Sequence, residues 1–198
     1  MFKFYLILFV GFIFSTQTAL CQLDSVSTKD KKGTLIDIRD GHSYSTIIIG
    51  EQTWMAENLA YKPNDGKYWA FDGSKNYVPD YGYLYSWKTA QEVCPAGWHL
   101  PDTVDIEKLL RFYKGDTKFA YNDLSITGKS GFNFKGGGFK ITMDYIPLKE
   151  GAFWTTTESS KNKAWSLRLG GMDKEAVLAW HLYKKSGLSV RCIKDEKK

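Results

Sequence analysis

The chain opens with an uninterrupted apolar run from Phe4 through Phe14 behind one positive charge at Lys3, and leaves it through Ser15, Thr16, Gln17 and Thr18. A positive charge, an apolar stretch of this length and a polar exit with small residues form the three-part pattern of a secretory signal. A spanning helix needs about 20 apolar residues, more than this run offers, and no later stretch is apolar enough to span. Ala19 and Cys21 are the small residues that a signal peptidase reads when it cuts before Gln22. The pattern predicts a signal peptide over residues 1–21 and an exported chain, secreted, periplasmic or held at the cell surface. The alternative is a lipid anchor on Cys21, against which Leu20 stands as a bulky residue where a lipoprotein signal wants a small one. Residues 22–33 are polar and read as a flexible leader, which leaves 34–196 as the folded domain.

From Thr34 the pattern turns to short β segments. Leu35, Ile36 and Ile38 precede the turn pair Asp40-Gly41, and Tyr44 to Ile49 and Thr53 to Met55 flank Gly50-Glu51-Gln52 as a hairpin. A long loop rich in Gly, Asp and Tyr runs from Tyr61 to Tyr81. Tyr83, Trp87, Ala90 and Cys94 then fall at helical spacing ahead of Pro95 and Gly97 and predict a first helix. Asp102 or Thr103 caps a second, with Ile106, Leu109, Leu110 and Tyr113 on one face and Gly115 closing it. After that the pattern is β again. Phe132 and Phe134 alternate before Gly136-Gly137-Gly138, which reads as a bulge or a close crossing of the sheet. Phe153 to Thr157, Trp165 to Leu169, Ala176 to Trp180 and Leu188 to Cys192 follow as strands. Strands, two helices and strands again, without βαβ alternation, predict an α+β fold with two helices packed on short, mainly antiparallel strands.

Charge and cysteine usage narrow the partners. The 27 basic residues outnumber the 22 acidic ones, but they are scattered, with no basic stripe or helix, so nucleic acid is excluded as a partner class. Once the leader is removed, Cys94 and Cys192 are the cysteines left. In an exported chain such a pair reads as one disulfide, the alternative being two buried thiols. Closing a loop of about 100 residues stabilises the fold by roughly 4–5 kcal/mol on a chain-entropy estimate. Aromatic residues reach 16%, with 7 Trp. Most of that area has to be core, because a domain of this size with so many wet rings aggregates.

Several blocks resemble a known family. Gly50-Glu51-Gln52-Thr53-Trp54-Met55-Ala56-Glu57-Asn58-Leu59, Gly82-Tyr83-Leu84-Tyr85-Ser86-Trp87 and Val93-Cys94-Pro95-Ala96-Gly97-Trp98-His99-Leu100-Pro101-Asp102 occur in that order. Phe153-Trp154-Thr155-Thr156-Thr157-Glu158 and Gly187-Leu188-Ser189-Val190-Arg191-Cys192-Ile193 complete the set. Together they resemble the Fibrobacter succinogenes major paralogous domain family over about residues 34–196. One departure is Asp102, where that family commonly has Thr; the capping role is kept. The family is itself similar to the C-type lectin and formylglycine-generating-enzyme fold group. The resemblance thus implies a C-type-lectin-like domain whose disulfide runs from helix to terminal strand. It implies little about function, since fold does not fix function.

Calcium-dependent sugar binding in C-type lectins uses a Glu- or Gln-Pro-Asn/Asp triplet, because calcium takes six or more hard oxygens. Here the triplets are Lys62-Pro63-Asn64, Val78-Pro79-Asp80 and Leu100-Pro101-Asp102, and the nearest tryptophan motif is Trp165-Ser166-Leu167. No metal and no cofactor is expected. Formylglycine-type chemistry needs a free thiol, which the bridge takes away. His42, His99 and His181 lack ligand spacing, and His99 reads as a packed structural residue. There is no Gly-x-Ser-x-Gly elbow, and Asp173 and Glu175 sit in a turn-like segment as solvated acids. The aromatic loop is the strongest surface candidate: Tyr68, Trp69, Tyr77 and Tyr81 offer rings that stack on sugars or anchor a protein, unless they fold back over the sheet. The expected function is an exported non-enzymatic binding or cell-surface interaction module for glycan or protein, not an integral membrane protein. An extracytoplasmic enzyme on a formylglycine-generating-enzyme-like fold is the alternative.

Overall fold

A computed structural model describes residues 31–141 and 144–196, with every side chain among them except those of Ala179 and Trp180. The expected signal peptide and most of the expected leader lie outside the described residues. In chain order the strands are β1 (Lys32–Ile36), β2 (Ser43–Ile49), β3 (Gln52–Met55), β4 (Tyr68–Trp69), β5 (Leu84–Tyr85), β6 (Trp98–His99), β7 (Phe139–Ile141), β8 (Asp144–Ile146), β9 (Gly151–Ser160), β10 (Lys163–Gly170), β11 (Glu175–Tyr183) and β12 (Ile193–Lys194). The helices are α1 (Val78–Tyr81), α2 (Trp87–Ala90), α3 (Thr103–Phe112) and α4 (Thr117–Leu124), with single 3-10 turns at Phe71–Gly73 and Lys75–Tyr77.

Two antiparallel sheets carry the fold. The larger has strand order β1-β2-β3-β12-β6, and the smaller runs β11-β10-β9; β4-β5 and β7-β8 are two-stranded ribbons. The hairpin expected around Gly50 is β2-β3, with Gly50 at φ 60, the left-handed backbone that favours glycine. Ile47, Ile49 and Trp54 from that hairpin, Ile106 and Leu109 of α3, Ala120 and Leu124 of α4, and Leu167 and Leu169 of β10 bury one core. A second core gathers Tyr44, Met55, Leu59, Tyr85, Trp154, Val190 and Cys192.

Helix α3 forms as the sequence predicts. Asp102 accepts from the Asp105 N–H (2.9 Å) while the Asp105 carboxylate accepts from the Asp102 N–H (3.1 Å), a reciprocal cap. Ile106 and Leu109 are fully buried, and Gly115 follows at φ 76. The other expected helix is corrected. Tyr83 to Cys94 is not one helix: Leu84–Tyr85 is strand, paired with β4, and only Trp87–Ala90 is helical, capped by Ser86. The reason is tertiary pairing. Tyr85 N–H donates to the Leu188 carbonyl (2.8 Å) and its own carbonyl accepts from Leu188 N–H (3.1 Å), so sheet contacts override a helical spacing. The second full helix is α4, which the sequence reading took as β. Its buried side is Ala120 and Leu124, too sparse a stripe to read, although Asp116 caps it by accepting from Phe119 N–H at 2.9 Å.

The triple glycine is a close crossing. A Cβ on Gly136 would stand 1.6 Å from the Leu148 carbonyl oxygen, and one on Gly138 would stand 2.4 Å from that of Ile146. Cys94 and Cys192 form a disulfide with Cα atoms 5.9 Å apart. It ties the loop after α2, rather than the end of a long helix, to the residue preceding β12. Another clip holds the turn after β1: Arg39 donates to the buried Asp37 carboxylate and to the Val93 carbonyl (2.8 Å), with its guanidinium 3.8 Å from the centre of the Tyr61 ring. Among the described residues no helix is long and apolar enough to cross a membrane.

Candidate functional site

The run Ser189–Cys192 is extended, so successive side chains point to opposite faces. Val190 and Cys192 enter the second core, which leaves Arg191 on the side of the first, over the rings of Phe132 (4.2 Å) and Phe153 (5.4 Å). Arg191 is 3% exposed. Its Nε donates to Asn58 Oδ1 at 2.8 Å, Nη1 to the Phe132 carbonyl, and Nη2 to the Asn133 carbonyl at 3.4 Å. Asn58 is held in that orientation because its amide nitrogen donates to the Tyr81 carbonyl (2.9 Å) and the Ser189 hydroxyl (3.3 Å). Asn133 stands at φ 56, a left-handed position that asparagine tolerates and that turns its carbonyl onto the guanidinium.

No carboxylate among the described residues forms an ion pair with Arg191. Burial lowers its pKa to about 9, a shift that the charge of Glu57 opposes, so it is still a cation at neutral pH. A buried cation whose hydrogen bonds all go to carbonyl oxygens is uncommon, since such charges are usually paired.

Arg191 and Asn58 line a cavity of about 350 Å³ whose wall includes Glu57, Asp80, Asn133 and Lys135. The loop after β3 supplies Glu57, α1 supplies Asp80, and the loop after α4 supplies Asn133 and Lys135. Lys135 Nζ pairs with Asp80 at 3.4 Å, and Glu57 accepts from the Ser45 N–H at 2.7 Å. His42 also lines the cavity, its ring 4.4 Å from that of Tyr44. The arrangement presents a buried cation at the base and a mixed set of hydrogen-bonding groups around it. Such a set of groups can hold a polar ligand in one orientation.

The four rings expected to bind are each half-buried. Tyr68 packs edge-on to Tyr83 at 5.1 Å, and Trp69 lies over Gly187, where an added Cβ would meet its ring at 2.7 Å. Tyr77 packs on buried Phe71 at 5.5 Å and lies 6.2 Å from Tyr81. None of the four lines the cavity, but Val78, Asp80 and Gly82 between and beside the last two do. His99 is not packed in the core as expected: its ring side chain is 43% exposed. It bridges Asp195 (Nδ1–Oδ1 2.6 Å) and Asp105 (Nε2–Oδ2 3.4 Å), joining the chain after β12 to α3. The His181 ring packs against Trp165, centres 3.9 Å apart and planes tilted by 50°. Among the described residues no three His, Cys, Asp or Glu side chains form a metal-binding group.

Sequence reasoning missed Arg191 and Asn58. The available signal was a lone cation inside the otherwise apolar and small run Leu188-Ser189-Val190-Arg191-Cys192-Ile193. The sequence model of the Fibrobacter succinogenes major domain family matches residues 47–194, a span that holds both residues. Nothing matches among curated proteins or among solved structures.

Proposed function

The chain belongs to the Fibrobacter succinogenes major domain family, and on that premise we propose that it is an exported, non-enzymatic binding module that takes a glycan or protein segment in the cavity over Arg191. The observation that carries the reading is the buried arginine that forms no ion pair among the described residues and lines an open polar cavity. The carboxylates in that space are already engaged, Glu57 by the Ser45 N–H and Asp80 by Lys135, which speaks against a free acid and base pair. The cysteines at 94 and 192 are spent on the bridge, which speaks against thiol chemistry. A longer ligand leaves the cavity past α1 and runs onto Tyr77 and Tyr81. The C-type-lectin-like assignment is supported by the disulfide that joins the segment before β6 to the start of a short last strand lying between β3 and β6.

The test is a glycan and protein array probed with the mature domain, with and without EDTA. The expected result is at least one partner retained in EDTA and recovered unaltered. Products released from an array ligand, or binding abolished by EDTA, would replace this reading with an enzyme or a metal-dependent lectin.

A further inference from the structure

We infer that the group seated against Arg191 is a carboxylate, borne by a small ligand whose remaining surface is hydroxyl or ammonium; this rests on the cavity being the ligand seat. A guanidinium carries five N–H donors in a planar fork. The described residues accept three hydrogen bonds from Arg191, from Nε, Nη1 and Nη2, so each terminal nitrogen holds one donor in reserve. Two N–H donors in reserve on a planar cation suit an oxyanion, and a carboxylate offers one oxygen to each. An arriving anion also supplies a carboxylate in direct contact, which this buried cation lacks among the described residues, and in a low-dielectric setting that contact is stronger than at the surface.

The wall chooses between anions. Glu57 and Asp80 border the same space, and both carboxylates are already engaged, by the Ser45 N–H and by Lys135. Their negative charge opposes a doubly charged phosphate more than a singly charged carboxylate. Their free lone pairs, with the Asn58 and Asn133 side chains, suit hydroxyl or ammonium groups on the body of the ligand. The volume of about 350 Å³ lies at the lower end of small-molecule sites, which run from roughly 300 to 1,000 Å³. It has room for one sugar acid residue or the last residue of a peptide. Both bring the carboxylate; the experiment separates them.

Titration calorimetry of the mature domain with galacturonate, galactose, glycylglycine and inorganic phosphate tests the assignment. Galacturonate or glycylglycine is expected to bind, at least tenfold tighter than galactose or phosphate. Whichever of the two binds tighter names the source as sugar acid or peptide terminus. Arg191→Lys keeps the charge and loses the fork, and should weaken the carboxylate at least tenfold. Because Arg191 also braces Phe132 and Asn133, an exposed lining residue provides the control: Lys135→Glu, which adds a negative charge to the cavity wall, should weaken carboxylates severalfold and lower the melting temperature only slightly, since its pair with Asp80 is exposed. Galactose binding as tightly as galacturonate, or phosphate binding tighter than both carboxylates, overturns the carboxylate and leaves the cavity as the seat. No binding of either carboxylate at millimolar concentration overturns it as well. An array ligand whose affinity ignores Lys135→Glu removes the cavity itself.

Discussion

Arg39 grips the carboxylate two residues before it with two donors, Nε to Asp37 Oδ1 at 2.8 Å and Nη2 to Oδ2 at 2.6 Å. The pair is local in sequence, yet the same Nη2 reaches the Val93 carbonyl next to the disulfide, so a turn is pinned to the bridge region. Burial pushes the Asp37 carboxyl up, and the hydrogen bonds and charge of Arg39 together outweigh it and hold the pKa below the ordinary carboxylate value.

A carboxyl lowered on folding stabilises the native state above its unfolded pKa of about 3.9 and loses that contribution as pH falls through the folded value. Asp37→Asn should therefore cost about 2–3 kcal/mol at neutral pH, where a buried hydrogen-bonded charge pair is broken. Urea melts of the two proteins against pH should converge below the ordinary carboxylate range. A constant difference down to strong acid would show that the ionised form contributes nothing.

The disulfide should be found by peptide mapping without reduction. Replacing Cys94 and Cys192 together by serine should lower stability by about 2–5 kcal/mol, measured by denaturant unfolding. Free-thiol labelling of the native chain at either position would contradict the bridge.

Gly136→Ala is expected to abolish folding or cost upwards of about 3 kcal/mol, since its Cβ would fall 1.6 Å from the Leu148 carbonyl oxygen. Gly73 shares a positive φ, 68, but nothing lies within 4 Å of a Cβ there. Gly73→Ala should cost only about 1–2 kcal/mol, the conformational term alone. Equal losses in the two variants would mean that backbone crowding is not what fixes Gly136.

Trp69 and Tyr81 should part company. Trp69→Ala removes a half-buried ring from its seat on Gly187 and should cost about 2 kcal/mol of stability, below the range for a fully buried Trp. Tyr81→Phe keeps the ring and should leave both melting and binding unchanged, whereas Tyr81→Ala should weaken an extended array ligand about tenfold. Loss of affinity in Trp69→Ala without a melting shift would move the contact surface onto that ring.

The mature chain is expected to begin at Gln22, to be read from the intact mass of the exported protein. A diacylglyceryl group on Cys21 would instead make it a lipoprotein.

What could be read in advance followed from how local the cause was. The β2-β3 hairpin and α3 have their apolar pattern and their punctuation within a dozen residues, Gly50 in one and the Asp102–Asp105 cap in the other, and both were legible. Tyr83 to Cys94 misled because the residue that decides it, Leu188, is far along the chain. The site was hidden for the same reason. Arg191 and Asn58 are separated by 133 positions, and nothing near either announces the other. The aromatic loop reads as a surface of rings, yet Tyr68 packs on Tyr83, Trp69 on Gly187 and Tyr77 on Phe71, while Val78, Pro79 and Asp80 border the cavity.

The placement of β12 sets an order of events. Ile193 is hydrogen-bonded into the larger sheet between Trp54 of β3 and His99 of β6, so this strand is the keystone of a sheet whose other members are all made earlier. Until it arrives, β6 has no neighbour in that sheet, Cys94 has no partner, and Arg191 is not yet in place beneath the cavity. A ribosome or a translocation pore that releases the chain vectorially thus releases an open domain until nearly the last described residue. Closure of the sheet, oxidation of the bridge and assembly of the cavity wall then become a single late event.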